Sequence, residues 1–107
     1  MYPEGSAYPL RNLWDAAVRG YAIRLTCRRC RHVRTFHAVA LWWLFERKGW
    51  ANSFNEVRRR TICAACRDTR RQTIRHPKFE LVHEEIDGDP LPLPSQQDWK
   101  RALARHR

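Results

Sequence analysis

The sequence predicts a small α+β fold: a short β-sheet with two cysteine knuckles, two helices inserted between them, and a short C-terminal helix. Three observations predict this class. Apolar and polar side chains alternate from Tyr21 to Cys27, as in a half-buried strand. Residues 35–48 are rich in Leu, Ala, Trp and Phe and contain no Pro or Gly, as in a buried helix. All four cysteines stand in two Cys-x-x-Cys pairs, one directly after the strand and one after the predicted helices.

A first short helix is expected over residues 13–19. Asn12 suits the N-cap position, Asp15 follows three residues later, and Gly20 suits the position just beyond the C-terminus. The predicted strand at residues 21–27 follows directly and leads into the first cysteine pair.

Two helices are expected between the cysteine pairs. Residues 35–48 form the longer one, with Gly49 as its C-cap. Because its apolar residues surround the helix axis, we expect this helix to be largely buried or shared with a partner. The second helix starts at Ser53, whose hydroxyl and the Glu56 carboxylate have the spacing of a capping box, and runs to about Arg60.

The segment after the second cysteine pair is predicted to return to the sheet. Residues 69–74 are expected to form one strand, and the more acidic residues 79–84 another. Residues 87–89 have turn chemistry, and the Pro-Leu-Pro-Leu-Pro run at residues 90–94 indicates a stiff, extended linker. Ser95 then caps a final helix from Gln96 to about His106.

The chain of 107 residues has the size of one domain, which excludes a two-domain enzyme. Hydrophobic residues make up 43% of it and include five Trp, which excludes a disordered basic tail. We expect an N-terminal extension at residues 1–11, the folded domain at residues 12–86, and a Pro-rich linker with the C-terminal helix at residues 87–107.

We expect a cytoplasmic protein without a membrane segment. The longest uninterrupted apolar run, residues 38–45, is far shorter than the roughly 20 residues of a membrane helix. Residues 1–12 lack the basic start and apolar stretch of a secretory signal. Because thiols stay reduced in the cytoplasm, the cysteines are better explained as metal ligands or redox groups than as disulfides.

The positive charge is concentrated in one part of the chain. The formal net charge is +10, and 18 of the 21 cationic side chains are Arg. Residues 24–78 contain 15 of those cations against three carboxylates, whereas residues 1–23 are neutral and residues 79–107 carry a small negative charge. A charge of this size favours a polyanionic partner, and the segment that carries it also contains all four cysteines.

The cysteine pairs predict a metal site made of Cys27, Cys30, Cys63 and Cys66. Two Cys-x-x-Cys pairs supply the four thiolates of a tetrahedral Zn²⁺ site, with Zn–S bonds of about 2.3 Å. A tight turn lets both sulfurs of one pair face the same ion. We therefore expect one structural zinc ion, whose binding stabilises a modest core.

Redox chemistry and iron binding are the alternative roles for the cysteines. A dithiol redox pair would need a parallel α/β fold, for which the chain has neither the length nor the alternation of strands and helices. A four-cysteine iron site has the same ligands and the same spacing, so it stays open. His32 and His37 lie near the first pair, but with four thiolates present we expect them to be ordinary polar or packing residues.

The residues from Leu13 through Cys66 also resemble a known group of proteins. The resemblance lies in Leu13-Trp14-Asp15, in Gly20 ahead of a strand, and in the two segments LTCRRC and TICAAC separated by two helices. These features resemble the small zinc-ribbon proteins of bacteria and cover about half of the chain. The resemblance implies a four-cysteine zinc site and no specific activity. In one departure, Arg31 and Arg67 follow the cysteine pairs where such knuckles usually carry Gly, a residue suited to positive φ.

Arginines crowd both cysteine pairs, and a shared metal ion would bring them together. We predict that they form a face that binds nucleic acid, DNA or RNA, with little sequence preference, because the Arg fork matches phosphate. An arginine-rich composition that merely solvates the surface stays open as the simpler interpretation. The predicted binding residues are Arg28, Arg29, Arg31, Arg34, Arg58, Arg59, Arg60, Arg67, Arg70 and Arg71.

The alternative function is a zinc-stabilised adaptor that binds another protein through the Trp-rich helix at residues 35–48 or through the C-terminal helix. The aromatic residues of the Trp-rich helix are better explained as core than as base-stacking groups. The sequence contains no Ser/His/Asp constellation, no Gly-rich phosphate loop and no paired acids near a plausible pocket. We therefore expect neither an enzyme nor a small-molecule substrate.

Overall fold

A computed structural model describes residues 10–84, 86 and 91–106. Within this part of the chain, three strands and five helices confirm the predicted α+β class. The predicted turn at residues 87–89 lies outside the described residues, as do residues 1–9 of the predicted extension. The elements in chain order are α1 (Leu13–Val18), β1 (Ala22–Thr26), β2 (Val33–His37), α2 (Ala38–Lys48), α3 (Phe54–Arg60), α4 (Ala64–Arg70), β3 (Lys78–Val82) and α5 (Gln96–Arg105).

The sheet is antiparallel, with strand order β2-β1-β3. In this register Arg24 of β1 lies opposite Thr35 on one side and Glu80 on the other. The Arg24 guanidinium binds the carboxylates of Glu84 and Glu80, and the Thr35 hydroxyl donates to Glu84 at 3.2 Å. Two carboxylates of the acidic third strand region therefore neutralise a cation at the centre of the sheet.

Side-chain oxygens cap three of the helices as the sequence predicts. The side chain of Asn12 accepts from the Asp15 N–H at 3.0 Å at the start of α1. The hydroxyls of Ser53 and Ser95 accept from the N–H groups three residues later, at 3.1 and 3.0 Å, at the starts of α3 and α5. Gly49 closes α2 with a φ of 71°, a conformation that favours glycine.

A cluster of tryptophans forms the centre of the core and includes the C-terminal helix. The Trp14 and Trp42 ring centroids lie 5.1 Å apart, and Trp99 of α5 lies 5.2 Å from Trp14 and 5.6 Å from Trp42. Trp42 and Ala102 are fully buried. Helix α5 therefore packs on the protein's own core, and Trp42 of the predicted Trp-rich helix is a core residue, as expected.

Two element predictions are wrong. Residues 35–37, expected at the start of a helix, belong to β2, because Thr35 pairs with Arg24 in the sheet and α2 begins only after His37. Residues 69–74, expected as a strand, begin inside α4 instead. Cys63 caps that helix, and Arg71 closes it with φ 52° while its N–H donates to Arg67 O at 3.1 Å. Among the described residues between α4 and β3, the only β-type pairing is an isolated bridge between Arg75 and Ile62.

No helix in the described part of the chain combines the length and the hydropathy needed to cross a bilayer.

Candidate metal centre

The first cysteine pair lies in the tight turn that joins β1 to β2. The Cys27 N–H donates to His32 O at 2.8 Å, and the Arg31 N–H donates to Cys27 O at 3.0 Å. The Arg29 N–H points at the Cys27 sulfur, 3.4 Å away. Arg31 has a φ of 67°, so the turn uses the left-handed conformation without a glycine.

The second pair lies at the start of α4. Cys63 is the N-cap, and its sulfur accepts from the Cys66 N–H at 3.4 Å. The Cys63 N–H donates to Ile74 O at 3.1 Å, which ties this helix end to the extended segment after α4. Because Arg67 continues the helix, the position after this pair needs no positive φ.

The four sulfurs form one compact cluster. Cys27 Sγ lies 3.8 Å from Cys66 Sγ, Cys30 Sγ lies 3.5 Å from Cys63 Sγ, and all four ligand atoms lie within 4.8 Å of one another. A tetrahedral ion with metal–sulfur bonds of about 2.3 Å needs neighbouring sulfurs about 3.8 Å apart. All four cysteines are free thiols. The arrangement therefore fits a metal ion held by four thiolates, and within the described residues no histidine joins this group.

The thiols of the cluster differ in how readily they ionise. Burial opposes ionisation of Cys27, but the backbone N–H groups of Cys30 and Arg29, together with the sulfurs of Cys30 and Cys63, outweigh it and lower the Cys27 pKa to about 6. Burial raises the pKa of Cys63, and burial together with the neighbouring sulfurs raises the pKa of Cys66 to about 12. One thiolate is thus stabilised without a metal, and a fully ionised set requires a bound cation.

Arginines near the cysteine cluster are joined to distant segments through backbone contacts. Arg28 Nε donates to His76 O at 2.8 Å, and the His76 N–H donates to Arg58 O at 3.1 Å. Arg75 Nη1 donates to Arg59 O at 3.4 Å. The segment at residues 75–76 therefore joins the first cysteine turn to the end of α3.

Several of the predicted binding arginines are used in local structure. Glu56 binds Arg59 at 2.7 Å and Arg60 at 2.5 Å, and the Arg60 guanidinium also lies 4.2 Å from the Trp50 ring centroid. Arg58 donates to the side chain of Asn55 at 2.8 Å and lies over the Phe79 ring, as Arg34 does over Phe36. Arg67 pairs with Asp68 at 3.3 Å.

The remaining arginines are exposed and carry unneutralised charge. Arg29 and Arg31 in the first cysteine turn, and Arg70 and Arg71 at the end of α4, contact no carboxylate among the described residues. Arg28 is exposed as well and uses its Nε on a backbone carbonyl. We call these five residues, together with Arg67, the arginine surface; each lies within five positions of a cysteine ligand.

The structure also contains a feature that the sequence did not predict, a cavity of about 70 Å³ beside Cys27 and Cys63. Its lining comes from β1, β2, the start of α4 and residues 74–77. The only sequence signal for it was the position of Ile62 directly before the second cysteine pair and of Ile74 a few residues after it, since these apolar side chains stand in an otherwise basic stretch.

No protein-family model, curated protein or solved structure matches the chain. The four-cysteine cluster supports a metal site, and the zinc-ribbon family stays a prediction from the sequence.

Proposed function

We propose that the protein holds one structural zinc ion at its four cysteines and binds nucleic acid through the arginine surface. The observation that carries this proposal is the contact between sulfurs of the two pairs, Cys27 with Cys66 at 3.8 Å and Cys30 with Cys63 at 3.5 Å. Because exposed arginines flank both pairs in the chain, this contact supports a basic surface shared by the two segments.

The donor set supports zinc in a structural role. Four thiolates suit Zn²⁺, and a site filled by four protein ligands leaves no position for the water that zinc catalysis uses. A bound ion would connect the β1–β2 turn to α4, a helix in which Cys66 is the one buried residue. The ion would therefore hold α4 to the rest of the protein, where little apolar packing does so.

The negative charge of a zinc site with four thiolates would balance some of the nearby arginines but not all of them. Zn²⁺ with four thiolates carries a charge of −2, which neighbouring guanidinium groups stabilise. The arginine surface has six cations, and Asp68 pairs with one of them. Positive charge thus remains for an external anion.

Nucleic acid fits this surface because an Arg fork binds phosphate oxygens with two parallel hydrogen bonds. Contacts to phosphate position a protein without reading sequence, so we expect little sequence preference from the arginine surface itself. Glu56 already binds Arg59 and Arg60. We therefore expect these two arginines to contribute less to nucleic acid binding than the arginine surface does.

A protein adaptor is the second candidate function, and one observation favours it. An open groove of about 470 Å³ lies between α1, the start of α2 and the segment before α5. Its apolar border includes Val18 and Leu93, which are 48% and 57% exposed. The adaptor has less support than nucleic acid binding, because Trp42 and the inner face of α5 are occupied by the protein's own core.

Two measurements on the same purified protein test the identity of the metal and the binding of nucleic acid. Elemental analysis of the purified protein should give one zinc per chain and no iron. Fluorescence anisotropy with a labelled random-sequence 20-mer should then show an affinity that falls steeply, by about tenfold or more, between roughly 50 and 200 mM salt. The chelated protein serves as the control and should bind more weakly. An affinity that does not change with salt would overturn nucleic acid binding, and iron in the site would overturn the structural zinc.

A further inference from the structure

The four cysteines of the metal centre differ in exposure as well as in position. Cys27 and Cys66 are buried, with exposed fractions of 5% and 1%. Cys30 and Cys63 are half-buried, and their sulfurs, one from each pair, lie 3.5 Å apart. The two more exposed cysteines of the cluster are therefore in contact with each other, across the two segments that the cluster joins.

Cys30 has the more open surroundings of these two. Its neighbours Arg29 and Arg31 are exposed, and neither contacts a carboxylate among the described residues. Both neighbours of Cys63 are half-buried, and its own N–H is bound to Ile74 O at 3.1 Å. Reactive cysteines in proteins typically lie in partly exposed, electropositive surroundings. Cys30 is therefore the thiol of the cluster that a small oxidant in solution reaches most readily.

The geometry of the cluster favours Cys63 as the partner of an oxidised Cys30. Their sulfurs already touch, whereas Cys27, the other residue of the first pair, contacts the fully buried Cys66 at 3.8 Å. A bond from Cys30 to Cys63 would form along an existing contact between two half-buried side chains. The buried pair would keep its place in the cluster.

We propose that Cys30 is a site of oxidation by hydrogen peroxide and that it then forms a disulfide with Cys63, which releases the zinc ion and keeps the β1–β2 turn joined to α4. The inference rests on the metal site of the proposed function and not on nucleic acid binding. The crosslink connects positions 33 residues apart, and a disulfide over such a loop stabilises the folded state by restricting the unfolded chain. The disulfide thus takes over the connection that the ion makes.

The oxidation balances in two steps. The Cys30 thiolate attacks one oxygen of the peroxide, so that an S–O bond forms, the O–O bond breaks and hydroxide leaves. The Cys63 thiolate then attacks the Cys30 sulfur, so that the S–S bond forms, the S–O bond breaks and a second hydroxide leaves. The two sulfurs lose the two electrons that the peroxide gains, and both hydroxide ions become water with protons from the solvent. Cys27 and Cys66, the two remaining ligands, take protons from the solvent as the ion is released.

Peptide mapping of the zinc-loaded protein after peroxide treatment tests the pairing. Free thiols are alkylated, and trypsin then cleaves at the arginines between Cys27 and Cys30 but leaves Cys63 and Cys66 in one peptide, residues 61–67. We expect the Cys30 peptide to be linked to residues 61–67, with fragmentation placing the bond at Cys63. A disulfide within either pair, a bond from Cys27 to the second pair, or no disulfide overturns the proposal.

Two further measurements follow the metal and the fold. A chromophoric chelator should detect one zinc ion released for each crosslink formed. The oxidised, zinc-free protein should unfold about 5 °C or more above the reduced, chelated protein, because the disulfide restricts the unfolded chain in place of the ion. Zinc that stays bound to the crosslinked protein, or an unfolding temperature no higher than that of the chelated protein, would overturn the replacement of the ion by the crosslink.

Serine variants of the first pair supply a matched control, since Cys30→Ser and Cys27→Ser each remove one ligand from the same turn. Peroxide should link Cys30 to Cys63 in Cys27→Ser, whereas Cys63 should stay available to alkylation in Cys30→Ser. Equal loss of free Cys63 in both variants contradicts the role of Cys30. The map of the wild-type protein does not depend on the folding of either variant.

The zinc content before peroxide is added separates this inference from the proposed function. Purified protein without zinc overturns the proposed metal site. A different disulfide pairing in zinc-loaded protein overturns the oxidation site alone and leaves the metal site in place.

Discussion

Arg31 and Arg67 occupy the same position in the two cysteine pairs but have opposite backbone conformations. Arg31 follows Cys30 with a φ of 67°, whereas Arg67 follows Cys66 inside a right-handed helix. The two pairs therefore hold their sulfurs by different means, a closed turn in one case and a helix N-terminus in the other.

Glycine substitution should separate these two conformations. Arg31→Gly removes the cost of a left-handed non-glycine residue, so we expect unchanged stability or a gain of up to about 1 kcal/mol. Arg67→Gly places glycine in an exposed helix and should destabilise the protein by about 1 kcal/mol. Urea unfolding of the zinc-loaded proteins measures both, and a loss for Arg31→Gly equal to that for Arg67→Gly would contradict the role assigned to φ.

The carboxylate of Glu56 should make stability depend on pH. Hydrogen bonds from Arg59 and Arg60 lower the Glu56 pKa to about 2, below its ordinary value of 4.5. A carboxyl group with a depressed pKa in the folded state stabilises the protein above pH 4.5 and loses this effect as the pH falls toward 2. The difference in unfolding free energy between wild type and Glu56→Gln should thus be largest above pH 5 and shrink on acidification.

A control substitution is needed because acid also affects stability in ways unrelated to Glu56, including protonation of the cysteines. Glu46→Gln also removes an exposed carboxylate, which in the described part of the chain binds one arginine, Arg105, at 3.2 Å. It should show a smaller pH-dependent difference. If the two variants differ from wild type by the same amount at every pH, the special role of Glu56 is wrong.

Removal of the Trp99 ring should release α5 from the core. The ring contacts Trp14 and Trp42, and its truncation leaves a cavity between α1, α2 and α5. We expect Trp99→Ala to cost about 2–4 kcal/mol and to reduce the near-ultraviolet circular dichroism of the tryptophan cluster. The control is Leu93→Ala, at a side chain that is 57% exposed, with an expected change below about 0.5 kcal/mol.

Neutralising the end of α4 should weaken nucleic acid binding without changing the fold. Arg70→Gln with Arg71→Gln removes two exposed cations that no described carboxylate neutralises. The slope of log affinity against log salt should decrease by about 2, one for each lost phosphate contact. The control pair is Arg101→Gln with Arg105→Gln on α5, where both cations already face carboxylates at 3.7 and 3.2 Å. An equal effect of both pairs would mean that net charge alone drives binding.

Local signals in the sequence were sufficient for the starts of α1, α3 and α5 and for the four cysteines that could hold a metal ion. Asn12, Ser53 and Ser95 act as caps because their bonds reach only three residues along the chain. The two-residue spacing within each cysteine pair is also a local signal, because it brings both sulfurs of the pair close together. By contrast, Thr35 was misassigned because its conformation is set by pairing with Arg24 on the neighbouring strand, and the apolar pattern of residues 35–48 does not report that pairing.

The distribution of charge was predictable only in part. The concentration of arginine near the cysteines could be read directly. The ion pairs of Glu56 with Arg59 and Arg60 were not predicted, although Glu56 stands three and four residues before them. The contact of Arg28 with His76 O could not be predicted, because it joins positions separated by 48 residues. Beyond the positions of Ile62 and Ile74, the sequence carried no signal for the cavity, because separate segments of the chain line it.

The order of strands in the sheet has a consequence for the folding pathway. The β1–β2 hairpin closes over a turn of a few residues, whereas pairing of β1 with β3 brings Thr26 opposite Lys78 and must close a much longer loop. Loop closure becomes entropically more costly with length and slows folding. A metal ion bridging Cys27 and Cys66 would leave only the short segment between Cys66 and Lys78 to be ordered. We therefore expect zinc to accelerate folding as well as to stabilise the product, with the hairpin forming first and the third strand joining last.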